Sequence, residues 1–279
     1  MSYKIVIDSC GELPAAYKED ARFESVPLTL IVDDEDIVDD DTFDQKSFLA
    51  KVAASPNCPK SSCPSPERYR QAFDCEADHI YGVTLSAELS GSYNSAMLGR
   101  QLLSEEKPDK KIHIFNSRSA SVGETLIALK IQECEEAGMT FEEVVAQVET
   151  YIDSQNTYFV LENLETLRKN GRMSKVKALV ASALNIKPVM GASSEGTILQ
   201  RDQARGINKA LVKMVSLVES EIQNAGMKKL AISHCNCLER AEMVRDAIRD
   251  RVQVQDILVL DTAGVSSMYA NDGGIIVVV

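Results

Sequence analysis

The sequence predicts two α/β domains, on three observations. Short β-rich runs alternate with helical patterns along the chain, the element order of an α/β fold. The runs are near-continuously apolar, as strands covered on both faces are. A length of 279 residues suits about two domains. The expected arrangement is an N-terminal domain over residues 1–156, with a mainly parallel sheet flanked by helices. A C-terminal domain over residues 157–279 follows, with a smaller mixed sheet and helices. The boundary is placed in the polar stretch Ser154–Thr157.

In chain order, Tyr3–Asp8 reads as the first strand and Gly11-Glu12-Leu13-Pro14 as the turn after it. Val26–Val32 reads as a second strand. The acidic run Asp33–Asp44 lacks the loop glycine and closing glutamate of an EF-hand, so it reads as a solvated turn. Ile80–Leu85 and Lys111–Phe115 are strands. The helix between them puts Tyr93, Ala96, Met97 and Leu103 on one face. A helix over Phe141–Ile152 precedes a strand at Thr157–Leu161. From Ser174, a plausible N-cap, Val176, Leu179, Val180, Ala183 and Leu184 line another stripe, and Pro188 bars continuation. Lys229–Ser233, Asp256–Leu260 and Gly274–Val279 complete the strands.

Composition excludes several functions. A net charge of −12 argues against nucleic acid, whose phosphates need clustered Lys and Arg, and against anionic membrane surfaces. The longest apolar run, Ile275–Val279, is far short of a membrane span, and the N-terminus lacks a signal-peptide pattern, so the cytoplasm is expected. The seven cysteines are scattered without a Cys-x-x-Cys and read as reduced thiols in apolar roles, not as metal ligands. There is no P-loop, no Gly-x-Gly-x-x-Gly and no Gly-x-Ser-x-Gly elbow. His79, His113 and His234 lie in or beside strands and read as structural.

What stands out is a density of serines. Lys60-Ser61-Ser62-Cys63-Pro64-Ser65-Pro66 and Leu89-Ser90-Gly91-Ser92-Tyr93-Asn94-Ser95-Ala96 each precede a helical pattern. Asp8-Ser9 and Asn116-Ser117, the latter with Ser121 beyond, lie at strand ends. In an open α/β sheet, ligands gather outside the carboxyl ends of the strands. Hydroxyls and free N–H groups at helix starts suit a small anion such as a carboxylate. No general base or metal set accompanies them. The pattern suggests a protein that holds an acid, with a hydrolase or phosphotransferase using the same serines as the alternative.

These segments resemble the DegV family of bacterial fatty-acid-binding proteins, in order and over essentially the whole chain. Asp8-Ser9-Cys10-Gly11-Glu12-Leu13 resembles the family's opening Asp-Ser turn. The segment at Lys60 resembles Thr-Ser-x-Pro-Ser, with serine in the threonine position. The segment at Leu89 resembles Leu-Ser-Gly-Thr-Tyr-x-Ser-Ala, and Asn116–Gly123 resembles Asp-Ser-x-x-x-Ser-x-Gly. Leu167-Arg168-Lys169-Asn170-Gly171-Arg172-Met173-Ser174 is similar to Leu-x-Lys-Gly-Gly-Arg-Ile-Ser, and Asn185–Val189 to the Ile-Lys-Pro segment.

The resemblance implies a non-enzymatic acyl carrier, usually monomeric, that buries one long-chain fatty acid and needs no cofactor. Ser61 and Ser90 would hold the carboxylate, with Gly91 beside them and Asp8, Ser9 and Ser92 in support. A separate fatty acid kinase would phosphorylate the bound acid. Read from the residues alone, Arg168, Lys169 and Arg172 are a small basic cluster, either a solvated helix start or a docking patch for that partner or for the phosphate being transferred, with Arg201 and Arg205 as weaker candidates for the same face. Kinase-coupled members often carry His-x-Gly-Pro-Gly near the C-terminus. This chain reads Tyr269-Ala270-Asn271-Asp272-Gly273-Gly274, as another subset of the family does. The missing histidine leaves the coupling to a kinase open, and Tyr269 is a candidate to supply a hydroxyl in place of the imidazole. Val176, Leu179, Val180 and Leu184 are candidates for the tunnel wall, although a helix stripe of this kind is more often plain core.

Overall fold

A computed structural model describes residues 2–173 and 185–279 of the chain. The helix read from Ser174, with its proposed tunnel-lining stripe Val176–Leu184, lies outside the described residues.

In chain order the elements begin β1 (Tyr3–Asp8), α1 (Ala15–Lys18), β2 (Phe23–Val26), β3 (Thr29–Val32), β4 (Glu35–Val38), α2 (Gln45–Ala54), β5 (Lys60–Ser62) and α3 (Pro66–Phe73). Next come β6 (His79–Thr84), α4 (Ser92–Glu106), β7 (Lys111–Asn116), α5 (Val122–Glu136), α6 (Phe141–Asp153), β8 (Thr157–Val160), α7 (Glu165–Lys169), β9 (Ile186–Ala192) and β10 (Ile198–Arg205). The rest are α8 (Ile207–Glu221), β11 (Lys229–His234), α9 (Leu238–Arg249), β12 (Asp256–Asp261), α10 (Gly264–Ala270) and β13 (Ile275–Val278).

The first sheet runs β2-β1-β6-β7 with every pair parallel. Because side chains alternate along a strand, Ile5 and Ile7 of β1 pack toward α5 and α6 while Val6 packs toward α3 and α4. The order places a switch point between β1 and β6, so Asp8 and Leu85 emerge side by side at the carboxyl edge. A small antiparallel sheet, β4-β3-β5, sits beside this edge and sets Ser61 opposite Leu30.

The last sheet runs β10-β9-β8-β13-β11-β12, parallel only at β11–β12. It is mixed, as expected, but with six strands it is larger than the four-stranded parallel sheet, not smaller. Its outer face packs on α8 and α9. Its inner face presents Phe159, Leu161, Met190 and Ile198 toward α7 and α10, and Ala231 and Val278 toward α5. The interior between the two sheets is where the site forms. Among the described residues, no helix is long and apolar enough to cross a membrane.

Two expectations need correction. Val26–Val32 is not one strand: Pro27, without an N–H, ends β2, and the chain re-enters pairing in a different sheet at Thr29. The acidic run is not one solvated turn either. Only Asp33 and Asp34 turn the β3–β4 hairpin, and Asp39 is buried at 3% exposure.

Candidate functional site

The site begins with Asp8, fully buried at the end of β1. Its Oδ1 accepts from Cys10 N at 3.1 Å, and its Oδ2 from Leu85 N at 3.0 Å and Ser92 Oγ at 2.6 Å. Ser92 Oγ also meets Tyr69 OH at 2.6 Å. Asp8 thus ties the loop between β6 and α4 to the first strand. Ser9 donates to Asp39 at 2.9 Å and accepts from Leu28 N at 3.0 Å, which ties the small sheet to the same point.

Asp8, Ser9 and Ser92 therefore spend their polar atoms inside the protein, and none of them lines a cavity with Ser61 and Ser90. They support the wall instead of forming it. Ser61, Ser62, Cys63, Ser90, Gly91, Arg172 and Tyr269 line a cavity of about 250 Å³ with Leu28, Leu85, Leu89 and Val265. Ser61 lies on β5, not in a turn ahead of a helix, because it is Ser65 that caps α3, accepting from Arg68 N at 3.2 Å. Ser61 Oγ faces Tyr269 OH at 3.5 Å. Ser90 Oγ accepts from Ser92 N at 3.2 Å. Gly91 stands at the N-cap of α4 with no side-chain cap, so the positive end of a 15-residue helix opens on the cavity. A Cβ at Gly91 would stand 3.1 Å from Cys63 Sγ, so the glycine keeps this corner open.

A second cavity of about 100 Å³ adjoins the first, sharing Leu85, Leu89, Arg172, Val265 and Tyr269 with it. Its far walls include Phe159, Leu161, Ile198 and Ile276 from the inner face of the six-stranded sheet. The hydroxyls at its edge are engaged elsewhere: Ser119 Oγ with Thr157 Oγ1 at 2.6 Å, and Ser121 Oγ with Ser233 Oγ at 2.6 Å and Glu12 at 2.8 Å. What remains facing the space is apolar. A hydroxyl-lined chamber thus lies beside a mainly apolar one.

Arg172 does not join the docking cluster expected from the sequence. It turns inward, donates to Leu89 O at 3.1 Å through Nε, and lines both cavities. Arg168 and Lys169 are exposed, Arg168 in an ion pair with Glu165 at 2.8 Å. Arg205 is exposed at the end of β10. Arg201 is held by Glu221 of α8 and stacks over Tyr158, on the sheet face away from the cavities.

Three buried acids went unread in the sequence. Asp39 accepts from Gly264 N at 2.7 Å and Val265 N at 2.9 Å, seating α10 and with it Val265 and Tyr269. Burial pushes its carboxyl up to about 6, against the pull of these N–H groups. Glu12 accepts from Ser121 Oγ and, at 3.3 Å, from Ala263 N, and burial pushes it up to about 7. Glu124 is fully buried on α5 beside Asp8. One signal for it is visible: a single acid inside the apolar run Val122–Leu129.

The family model described as "Uncharacterised protein, DegV family" matches residues 2–279. The chain belongs to the DegV family. A DegV domain-containing protein of Streptococcus pyogenes serotype M1 is 36% identical over 278 residues, 99% of this chain and 98% of the relative. Among solved structures, a DegV family protein from Ruminococcus gnavus with vaccenic acid is 59% identical at a TM-score of 0.97, covering 100% of this chain and 99% of that one. A DegV family protein from Eubacterium eligens loaded with heptadecanoic acid is 31% identical at a TM-score of 0.89, covering 99% of each chain. The Streptococcus pneumoniae Fatty Acid Kinase (Fak) B3 protein loaded with linoleic acid is 34% identical at 0.86, covering 100% and 99%. The two-domain α/β fold is that of these DegV structures.

Proposed function

We propose that this DegV protein binds one long-chain fatty acid, tail in the apolar cavity and carboxylate in the chamber of Ser61, Ser90, Gly91 and Tyr269. The observation that carries the reading is a hydroxyl-lined chamber beside an apolar one, with Leu85, Leu89, Arg172, Val265 and Tyr269 common to both walls. Burying about sixteen carbons gains roughly 12 kcal/mol at ~0.8 kcal/mol per methylene. Micromolar binding needs about 8 kcal/mol, which leaves several for ordering and association. The tail gives affinity. The head gives orientation, through hydroxyls, the α4 terminus and the Arg172 guanidinium, since a buried carboxylate needs hydrogen-bond donors.

The protein is a carrier, not the catalyst. A serine hydrolase would need a base beside Ser90, and neither cavity is lined by a histidine, aspartate or glutamate among the described residues. The histidines face Glu135, Glu149 and Asp261 instead. We place residues 1–156 and 157–279 as the two domains, and take the carrier to be a cytoplasmic monomer that presents its acid to a separate fatty acid kinase. The kinase part is supported by the likeness to the Fak B3 protein. Arg168, Lys169 and Arg205 are the exposed cations offered to that partner. The Arg168–Glu165 pair is solvent-exposed and worth little, so it exchanges at small cost.

Native mass spectrometry followed by lipid extraction tests the reading. The expected result is one added mass matching a long-chain fatty acid. A clean apo mass with no uptake of added cis-vaccenate overturns it.

A further inference from the structure

Glu124 presents an anomaly. It is wholly buried, neither carboxyl oxygen makes a geometric hydrogen bond among the described residues, and the donor that lies beside it is the weak Cys10 thiol. An ionised carboxylate so placed is strongly unfavourable. Its neighbours make this worse, because Asp8 and the Cys10 thiol lie with it inside a cluster spanning 4.8 Å. The ionisable groups that face it from β1, the following turn and α3 are Asp8, Cys10, Glu12 and Tyr69. Asp39 adds a further negative charge next to Asp8. None of these is a cation.

The acceptor count at Asp8 offers the resolution. A carboxylate has about four lone-pair positions. Three are taken, two on Oδ2 and one on Oδ1, by Leu85 N, Ser92 Oγ and Cys10 N. The fourth is left on Oδ1, and Glu124 is the carboxyl group that lies beside the Asp8 carboxylate. A proton on Glu124 satisfies both residues: it removes one of two adjacent charges and fills the last acceptor position.

We propose that Glu124 is a positioning residue, kept as a neutral acid whose O–H donates to Asp8 and so fixes the loop carrying Leu85, Leu89, Ser90 and Gly91. Burial and the Asp8 charge both push the Glu124 carboxyl well above its usual range, in agreement with this geometry. Ionising Glu124 sets two carboxylates against each other at the root of the head chamber. The loop then loosens, and bound acid leaves faster as pH rises. This last consequence rests on the proposed fatty-acid site; the protonation of Glu124 does not.

The test is carboxyl carbon NMR of the protein labelled at glutamate, with Glu124→Gln and Glu12→Gln assigning the resonances of these two acids. The Glu124 signal is expected at the protonated position at neutral pH, and Asp8→Asn, which can donate an amide N–H to it, is expected to lower its titration. Dissociation of cis-vaccenate is expected to speed up at least tenfold on the alkaline side in the wild type and to stay flat in Glu124→Gln. An ionised Glu124 at neutral pH, or a stoichiometric cation bound at this cluster by elemental analysis, overturns the proposal. If Glu124→Gln fails to fold, the Asp8→Asn titration decides it. Failure of the wild type to bind cis-vaccenate counts against the carrier reading and leaves the NMR result standing.

Discussion

Replacing Ser61 by alanine separates head-group recognition from stability more cleanly than any other change at the site. The nearest polar partner of its hydroxyl is Tyr269 OH at 3.5 Å, at the outer limit of a hydrogen bond, so the fold gains little from it. Removal is expected to change unfolding free energy by less than about 0.5 kcal/mol. Ser90 is a poorer probe, because its Oγ also accepts from Ser92 N where α4 starts. A hydrogen bond to a charged acceptor contributes about 1.5–3 kcal/mol. Loss of the Ser61 donor should therefore raise the Kd for a long-chain acid about 10- to 100-fold.

The assay is calorimetric titration of delipidated protein with cis-vaccenate, and with the alcohol of the same chain, alongside thermal unfolding. The alcohol keeps the tail and drops the charge. It should bind Ser61→Ala and the wild type alike, while the acid discriminates between them. Tyr269→Phe should behave in the same way, because its hydroxyl faces the same space. A folded Ser61→Ala protein whose acid affinity stays within twofold of the wild type would refute the assignment of this chamber to the carboxylate.

Ala192→Phe, in the wall of the apolar cavity, is expected to shorten the space for the chain. Losing about four carbons at ~0.8 kcal/mol each should weaken an eighteen-carbon acid by roughly two orders of magnitude and spare a ten-carbon one, read in the same titration. Glu12 holds its proton up to about 7 in the folded protein, above its ordinary value of 4.5. Its contribution to stability is thus full below about pH 4.5 and is lost as pH rises through about 7, on the order of 3 kcal/mol. Urea unfolding should show the wild type weakening between about pH 5 and pH 8 and Glu12→Gln nearly flat, and equal slopes would contradict this. At Gly196, φ is +89° and a Cβ would stand 2.3 Å from Ser86 Oγ and 2.8 Å from the Arg118 backbone. Gly196→Ala should cost about 1–3 kcal/mol, a fall of about 2–4 °C in Tm per kcal/mol by differential scanning calorimetry.

The central strands β1, β6, β11 and β13 were legible because they are buried almost throughout, and the edge strands β7 and β12, only partly buried, keep an apolar run all the same. β1, β6, β7 and β11–β13 read as apolar runs, and β1 was placed residue for residue. β9 and β10 were not seen. Pro188 and Gly191 break the β9 pattern, and β10 is a polar edge strand with a bulge between Gln200 and Asp202. Local sequence also singled out Ser61, Ser90 and Tyr269, which the structure brings to one cavity, although Ser61 comes from β5 and not from a turn ahead of a helix. Direction did not survive. Arg172 sits in a basic cluster, yet Gly171 at φ +75° and the bond to Leu89 O carry its side chain inward, away from Arg168 and Lys169. Asp39 could not be picked out within its acidic run, because only α10, from some 225 residues on, supplies the N–H groups that bury it.

The placement of these acids answers an electrostatic problem that the ligand poses. A carboxylate entering the head chamber approaches a region holding Asp8, Glu12, Asp39 and Glu124, and four full charges there would repel it. The structure blunts the repulsion in two ways. Each acid is set behind the wall and faces donors or another acid: Asp8 the β6–α4 loop, Asp39 the start of α10, Glu12 Ser121 and Ala263. Burial also favours the neutral form of all four, most strongly at Glu124. The chamber surface keeps the opposite character, with hydroxyls, the α4 N-terminus and the Arg172 guanidinium. Acids thus brace the elements that supply the donors without setting their charge against the ligand. A variant that restored full charge behind the wall would lose ligand with every hydroxyl of the chamber still in place.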